Sequence, residues 1–284
     1  MIIDTHAHLY WENFKDDLDE VIKRALDAGI TGVINVGVDI KTSQKVLEQL
    51  ESLQKLTAYS SIGTHPHEAV VYANNLDESI QKDIDKLEEI YNQNPEKVIA
   101  VGECGLDFLL NRNDIHPEIS LSIEEPKSLQ RKLFKAQIDL AKKLNLPLLI
   151  HCRDDRSQNP TNSECWNEVL DLVKDHFGVL HCYSGMMETT QKALNGNFLF
   201  SFAGNLTYPK NEYLKEAVKV IPLDRILVET DCPFLPPQSK RGTRNEPCYI
   251  TETLKTIADI KNMPLKEVEL AIYQNTSQLF KLRL

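Results

Sequence analysis

No apolar run in this 284-residue sequence approaches the ~18 residues that a membrane span requires. The opening residues, Met1-Ile2-Ile3-Asp4, carry neither the basic nor the apolar stretch of an export signal. A C-x-x-C pair is also missing from the six cysteines, at positions 104, 152, 165, 182, 232 and 248, so reduced thiols in a soluble, cytoplasmic protein are the expectation. Basic residues are outnumbered, 32 Lys and Arg against 42 Asp and Glu, for a net charge of −10. That balance opposes nucleic-acid binding through a broad basic surface, and any such contact has to be local. Neither a glycine-rich phosphate or dinucleotide loop nor a Ser/Gly-rich linker nor an internal repeat occurs, and the 42% hydrophobic content excludes a disordered chain.

What is present is alternation. Short apolar or β-branched runs at 2–4, 32–36, 57–62, 98–101, 148–150, 179–180, 198–202 and 226–228 predict eight strands. Several are continuous rather than alternating, as in parallel strands covered by helices on both faces. Between them, apolar residues recur at helical spacing. Asn13 is placed to cap a first helix whose stripe is Phe14, Leu18, Val21, Ile22, Ala25 and Leu26, with Gly29 past its end. Further helices are expected near 42–53, 77–92, 127–144, 164–176, 188–195 and 211–220, with two more near 248–261 and 265–281 closing the chain. Eight strand–helix units over this length predict an α/β protein, a single (β/α)8 TIM barrel over residues 1–284.

The chemistry-bearing residues gather at one end of those strands. His6 and His8 are two apart in extended backbone, so both point to the same side and can bind one cation together, or serve as hydrogen-bonded strand-end histidines. Glu103, His151, His181 and Asp231 end the fourth, fifth, sixth and eighth strands. In a barrel those C-terminal ends converge on one face. Four histidines and two carboxylates exceed the needs of one tetrahedral ion, and a carboxylate can bridge two ions roughly 3.5–4 Å apart, so a two-metal site is inferred. Cys104, Cys152, Cys182 and Cys232 each follow one of these residues directly. Adjacent strand residues face opposite ways, so these thiols are expected to point into the helix layer, the rival reading being thiolate ligands.

The segments IDTHAHL (3–9), GTHPH (63–67), VGECGLDF (101–108), LIHCR (149–153), VLHCYSG (179–185), ILVETDCPFLPP (226–237) and RGTRNEP (241–247) together resemble the TatD-type metal-dependent hydrolases, a family of deoxyribonucleases, over nearly the whole chain. The resemblance implies a barrel hydrolase that carries two divalent ions and cleaves nucleic-acid phosphodiesters, DNA above all, with exonuclease character. Carried onto matching positions, it makes His6, His8, Glu103 and Asp231 ligands of one ion and Glu103, His151 and His181 ligands of the second. The segments 109–126 and 154–164 look longer than is usual in the family and bear on substrate access.

Ligands of this type admit magnesium, manganese or zinc. Two such cations also reconcile an acidic chain with a polyanionic substrate. Glu103 and Asp231 are the expected catalytic carboxylates, Asp231 as general base or water-orienting group. His65, Arg153, Tyr183, Arg241 and Arg244 are the substrate-binding candidates, the arginines as planar forks for phosphate and Tyr183 as a stacking surface or a rim residue. Asp107 is placed to orient a ligand histidine, His67 reads as structural, and His116 and His176 fit no constellation. Two alternatives use the same face: a barrel hydrolase of small-molecule amides or esters, or of an aminoacyl-tRNA ester, and a metal-bound scaffold that only docks a partner.

Overall fold

Strand and helix alternate eight times in the computed structural model, which describes residues 1–73, 76–109 and 124–282. The order is β1 (Ile2–Ala7), α1 (Leu18–Asp27), β2 (Ile30–Val36), α2 (Ile40–Gln49), β3 (Thr57–Ile62), α3 (Leu76–Gln93), β4 (Val98–Asp107), α4 (Glu124–Leu144), β5 (Leu148–Arg153), α5 (Glu164–Leu172), β6 (Phe177–Leu180), α6 (Met187–Leu194), β7 (Asn197–Phe202), α7 (Glu212–Val220), β8 (Ile226–Val228), α8 (Ile250–Lys261) and α9 (Leu265–Phe280). The strands form one sheet in chain order, each parallel to the next. Its two edges meet where Ala7 bridges Cys232, the Asp231 N–H donates to the His6 carbonyl at 2.9 Å, and the His8 N–H donates to the Cys232 carbonyl at 2.9 Å. The result is the (β/α)8 barrel that the alternation predicts.

Each strand serves two cores, which is why it reads as an unbroken apolar run. Leu148 and Ile150 of β5 pack outward among the helices, while Leu149 between them packs inward with Ile34, Val179 and Leu227. Phe280 at the end of α9 joins that inner cluster and Leu282 packs against it, so the chain's last helix stops one end of the barrel with apolar side chains. Among the described residues no helix is long and apolar enough to cross a membrane.

The strands outrun their apolar runs. Sequence places their ends at Asp4, Val101 and Ile150, but β1, β4 and β5 continue through the polar residues that follow, to Ala7, Asp107 and Arg153. Backbone pairing carries on where hydrophobic patterning stops. Between β4 and β5 the register steps from Val101 opposite Leu148 to Cys104 opposite Ile150, three residues against two. This bulge re-aims Glu103. Just beyond it, Gly105 has φ of +142°, and a Cβ there would lie 2.0 Å from the His151 carbonyl oxygen, so only glycine lets the two strands close up.

The first helix begins later than Asn13 and Phe14 suggest. Residues Glu12–Phe14 form a 3-10 turn, and α1 starts at Leu18, preceded by Asp17. The Asn13 carbonyl accepts from the Arg244 guanidinium, which also lies over the Phe14 ring at 4.7 Å. A tertiary contact thus takes the acceptor that an earlier helix start would use, and Leu26 of the expected stripe is left exposed. At α2 the local signal prevails: the Asp39 carboxylate accepts from the Thr42 N–H at 2.6 Å while Thr42 Oγ1 accepts from the Asp39 N–H at 2.9 Å, a reciprocal cap.

Side chains lock the β1–β8 seam. Asp4, fully buried, accepts from the Thr230 N–H at 2.9 Å, the Thr230 hydroxyl at 2.5 Å and the His6 N–H at 3.2 Å, and the Thr5 hydroxyl donates to the Val228 carbonyl at 2.9 Å. Burial pushes the Asp4 carboxyl up to about 7, against the pull of the three donors. Asp4→Ala orphans all three, and the expected loss is about 3 kcal/mol of unfolding free energy by urea titration. A loss below about 1 kcal/mol would show that the seam holds without this carboxylate.

Candidate metal centre

The barrel's open end collects the polar strand ends. His6 lies in β1 and His8 just past it, Glu103 sits in the β4 bulge, His151 lies in β5, and His181 follows β6 by one residue. His65 stands three residues beyond β3, and Asp231, three beyond β8, adopts φ of +57°, which turns its carboxylate inward from the end of the strand. All but His6, which is fully buried behind them, border a cavity of about 710 Å³.

Two groups of donor atoms share Glu103. His6 Nε2 and His8 Nε2 lie 3.2 Å apart, Glu103 Oε2 is 3.4 Å from the first and 3.8 Å from the second, and Asp231 Oδ1 is 3.9 Å and 3.5 Å from them. Donors held ~2.0–2.2 Å from one cation in a tetrahedron stand about 3.3–3.6 Å from each other, so this group fits a divalent ion. The other carboxylate oxygen, Oε1, lies 2.8 Å from His151 Nδ1, 3.5 Å from His65 Nε2 and 3.7 Å from His181 Nε2. Among the described residues three triads could hold an ion: His6, Glu103 and His181; His6, His8 and Asp231; and His65, Glu103 and His151.

Outer partners set the orientation of these rings. His8 Nδ1 donates to the Val36 carbonyl at 2.9 Å, which directs Nε2 at Asp231 and Glu103. Asp107 Oδ2 lies 3.1 Å from His151 Nε2 and 2.7 Å from His67 Nε2, and both Asp107 oxygens also take the Arg153 guanidinium. His181 Nδ1 stands 2.8 Å from Glu229 Oε1, as a close ionic contact rather than an aligned hydrogen bond, while the same Oε1 accepts from the Cys182 N–H at 2.7 Å. His6 stacks on His181 at 3.6 Å.

Charge is concentrated here in buried side chains. Burial opposes ionisation of Glu103, but the histidines around it outweigh burial and hold its carboxyl well below the usual range. Burial also opposes the His181 cation, yet Glu229, Glu103 and Asp231 push that imidazole up to about 10. His65 is the opposite case, since burial drives it well below its ordinary value and keeps it neutral. Its Nδ1 accepts from the His67 N–H at 3.1 Å, which leaves the ring proton on Nε2, facing the cavity.

Of the substrate-binding candidates, His65 and Arg153 line the cavity; Tyr183, Arg241 and Arg244 do not. Tyr183 is buried, its hydroxyl 2.8 Å from Thr190 Oγ1 and its ring against Trp166 and Phe200, so it has no face to offer a base. The cause is next door: Cys182, at φ of +43°, inverts the alternation, putting itself on the cavity wall and Tyr183 in the helix layer. Cys182 is therefore the exception to the outward-thiol expectation, which Cys104 and Cys232 meet inside apolar clusters, while Cys152 packs in the outer cluster and also borders the cavity. Arg244 is committed to Asp17 and Glu246 at 2.7 Å each, and Arg241 stacks over Tyr208 at 4.5 Å.

His176 donates to or accepts nothing near the site and lies 3.1 Å from the Leu146 carbonyl. His116 and residues 110–123 of the long segment lie outside the described residues. The other long segment, 154–164, is tied beside the cavity by Arg156, which donates to the Ser184 carbonyl at 2.8 Å. Sequence reasoning passed over Glu229, although its position two residues before Asp231 hinted at a shared side of the strand. It also passed over Trp11, Asn205 and Phe234 on the cavity wall.

The profile of the family described as "TatD related DNase" matches residues 3–281. The chain is 34% identical over 287 residues to an "Uncharacterized metal-dependent hydrolase YabD" of Bacillus subtilis, covering 99% of this chain and 100% of that protein. It is 32% identical over 286 residues to a "3'-5' ssDNA/RNA exonuclease TatD" of Pantoea vagans, covering 99% and 100%. Among solved structures, the TatD homologue YJJV of Escherichia coli K12 superposes with a TM-score of 0.82 at 24% identity, covering 99% of this chain and 98% of that one, a likeness of fold. The chain belongs to the TatD family of metal-dependent hydrolases.

Proposed function

We propose that this chain is a divalent-metal-dependent nuclease that hydrolyses phosphodiester bonds of DNA, acting as an exonuclease through water activated between two ions. The observation that carries the reading is the split of Glu103, one oxygen toward His6 and His8 and the other toward His151, His65 and His181. In this reading His6, His8, Glu103 and Asp231 hold one ion, and Glu103, His151 and His181 hold the second, with magnesium, manganese and zinc all suited to the donors. Such ions supply Lewis acidity, lowering the pKa of water and neutralising charge on phosphoryl oxygen. The name of the Pantoea vagans relative supports a nucleic-acid substrate. Six free thiols support a reducing compartment such as the cytoplasm.

The chain's own groups divide the remaining work. Asp231, whose carboxyl His8 and the other histidines keep ionised against burial, accepts the proton of the attacking water at a carboxylate oxygen. Glu103 positions both groups of histidines at once. The His65 Nε2–H donates to a non-bridging phosphate oxygen, a role its tautomer favours over ligation. Arg153 presents its guanidinium to the cavity while Asp107 fixes its plane.

Glu103→Gln keeps the shape and removes the shared charge. Cleavage of end-labelled single-stranded DNA should fall by more than about 100-fold, and bound metal by mass spectrometry should drop below the wild-type ratio, since even outer-shell changes cost ~10–100-fold. Undiminished cleavage would place the chemistry elsewhere. Glu229→Gln, acting through His181, should weaken metal binding by about 10- to 100-fold while leaving the fold intact by circular dichroism.

The pH dependence has a defined sign. In the metal-free protein the carboxylates raise His8, His151 and His181, the last to about 10, and each must lose its proton before its nitrogen can ligate. Metal affinity should therefore climb as pH rises from 6 to 9, about tenfold per pH unit for each proton displaced. Calorimetry in buffers of different ionisation enthalpy counts those protons, and a flat profile would contradict the histidine ligation.

A further inference from the structure

We propose that Trp11 and Phe234 form a stacking platform for an unpaired nucleobase at the mouth of the metal cavity. The inference rests on the nucleic-acid reading above and names the part of the substrate that the mouth recognises. Both rings line the cavity, and both are partly in water, at 39% and 43% exposure. The other large exposed side chains, such as Leu26, Val71, Val220 and Leu270, lie away from it. Trp11 and Phe234 meet edge to face, with centroids 5.3 Å apart and planes at 84°, an arrangement that leaves ring surface open to a third ring.

The platform is rigidly indexed to the candidate ligands. Trp11 comes three residues after His8 and its N–H donates to the His8 carbonyl at 3.2 Å. Phe234 comes three residues after Asp231 and its N–H donates to the Asp231 carbonyl at 2.9 Å. Each aromatic is thus one turn away from a residue of the same His6, His8 and Asp231 group, and Phe234 also lies 6.3 Å from the His8 ring. Asn245 pins the second turn by donating to the Phe234 carbonyl at 2.6 Å and the Thr230 carbonyl at 2.8 Å. Every base has a π-face, so the contact tolerates sequence but demands an unpaired base, which a strand end supplies and a closed duplex does not. The same cavity is lined by Arg153 and by the His65 donor for phosphate, so it offers the two kinds of surface that a nucleotide needs.

The test uses the metal-loaded full chain and a short single-stranded oligonucleotide with phosphorothioate linkages that resist cleavage. The chain has two tryptophans, and Trp166 is buried against Tyr183, so a fluorescence change on binding reports Trp11. Quenching is expected with intact terminal bases and is expected to disappear when the terminal nucleotides are abasic. In steady-state cleavage of ordinary oligonucleotides, Trp11→Ala and Phe234→Ala should each raise KM about 5- to 100-fold with a smaller change in kcat, and Trp11→Phe should restore most of the affinity. Equal quenching by both strands, or KM changes below about twofold in both alanine variants, would overturn the platform while the nuclease reading stands. If the wild type cleaves no oligonucleotide, the nuclease reading fails, and the quenching comparison still decides the platform by itself.

Discussion

The structure turns on one carboxylate held out of water. Glu103 is almost fully buried at the centre of the barrel's open end, where an isolated anion would be forced to take up a proton. It stays charged because imidazole nitrogens converge on both of its oxygens, and that convergence requires five strands to deliver their ends to one point. The β4 bulge, the glycine at 105 and the Asp4 seam are the local means by which the backbone permits this crowding. A parallel barrel suits the purpose because its strand ends meet in space however far apart they lie in sequence.

Around that centre stands an outer ring of carboxylates with a different task. Asp107 and Glu229 contact the remote nitrogens of His151 and His181, and the Val36 carbonyl does the same for His8. Each partner fixes which ring nitrogen faces inward. Asp107 extends the arrangement to His67 and Arg153, so a cationic fork on the cavity wall is held by the same group that orients a ligand candidate. A few of the chain's carboxylates are thus structural, placed where they counter buried cationic and metal-competent groups.

How much of this could be read from sequence differs by the range of the interaction. The barrel and the strand-end cluster were legible, because hydrophobic periodicity gives the strand–helix order and His6, His8, Glu103, His151, His181 and Asp231 all follow apolar runs. Tyr183 was not, since one residue in a left-handed conformation, Cys182, reversed which side chain faces the cavity, and nothing in the local pattern signals it. Arg244 and the start of α1 were obscured for a related reason: the Arg244 contact with Asn13 and Asp17 spans more than 220 residues and overrides a local helix signal. Glu229 was hidden by its position at the end of an apolar run, where a buried charge is not expected unless its partner is already known.

The apolar cluster that fills the barrel, with Phe280 and Leu282 at its end, makes the barrel a cup rather than a tunnel. Traffic through a cup is one-ended. Nothing passes straight through the molecule, so whatever reacts at the strand ends has to enter and leave past the same rim, and departing product shares its route with incoming substrate. Entry and exit then share the residues that border the mouth, which gives those residues, and not only the ones at the bottom, a part in every passage.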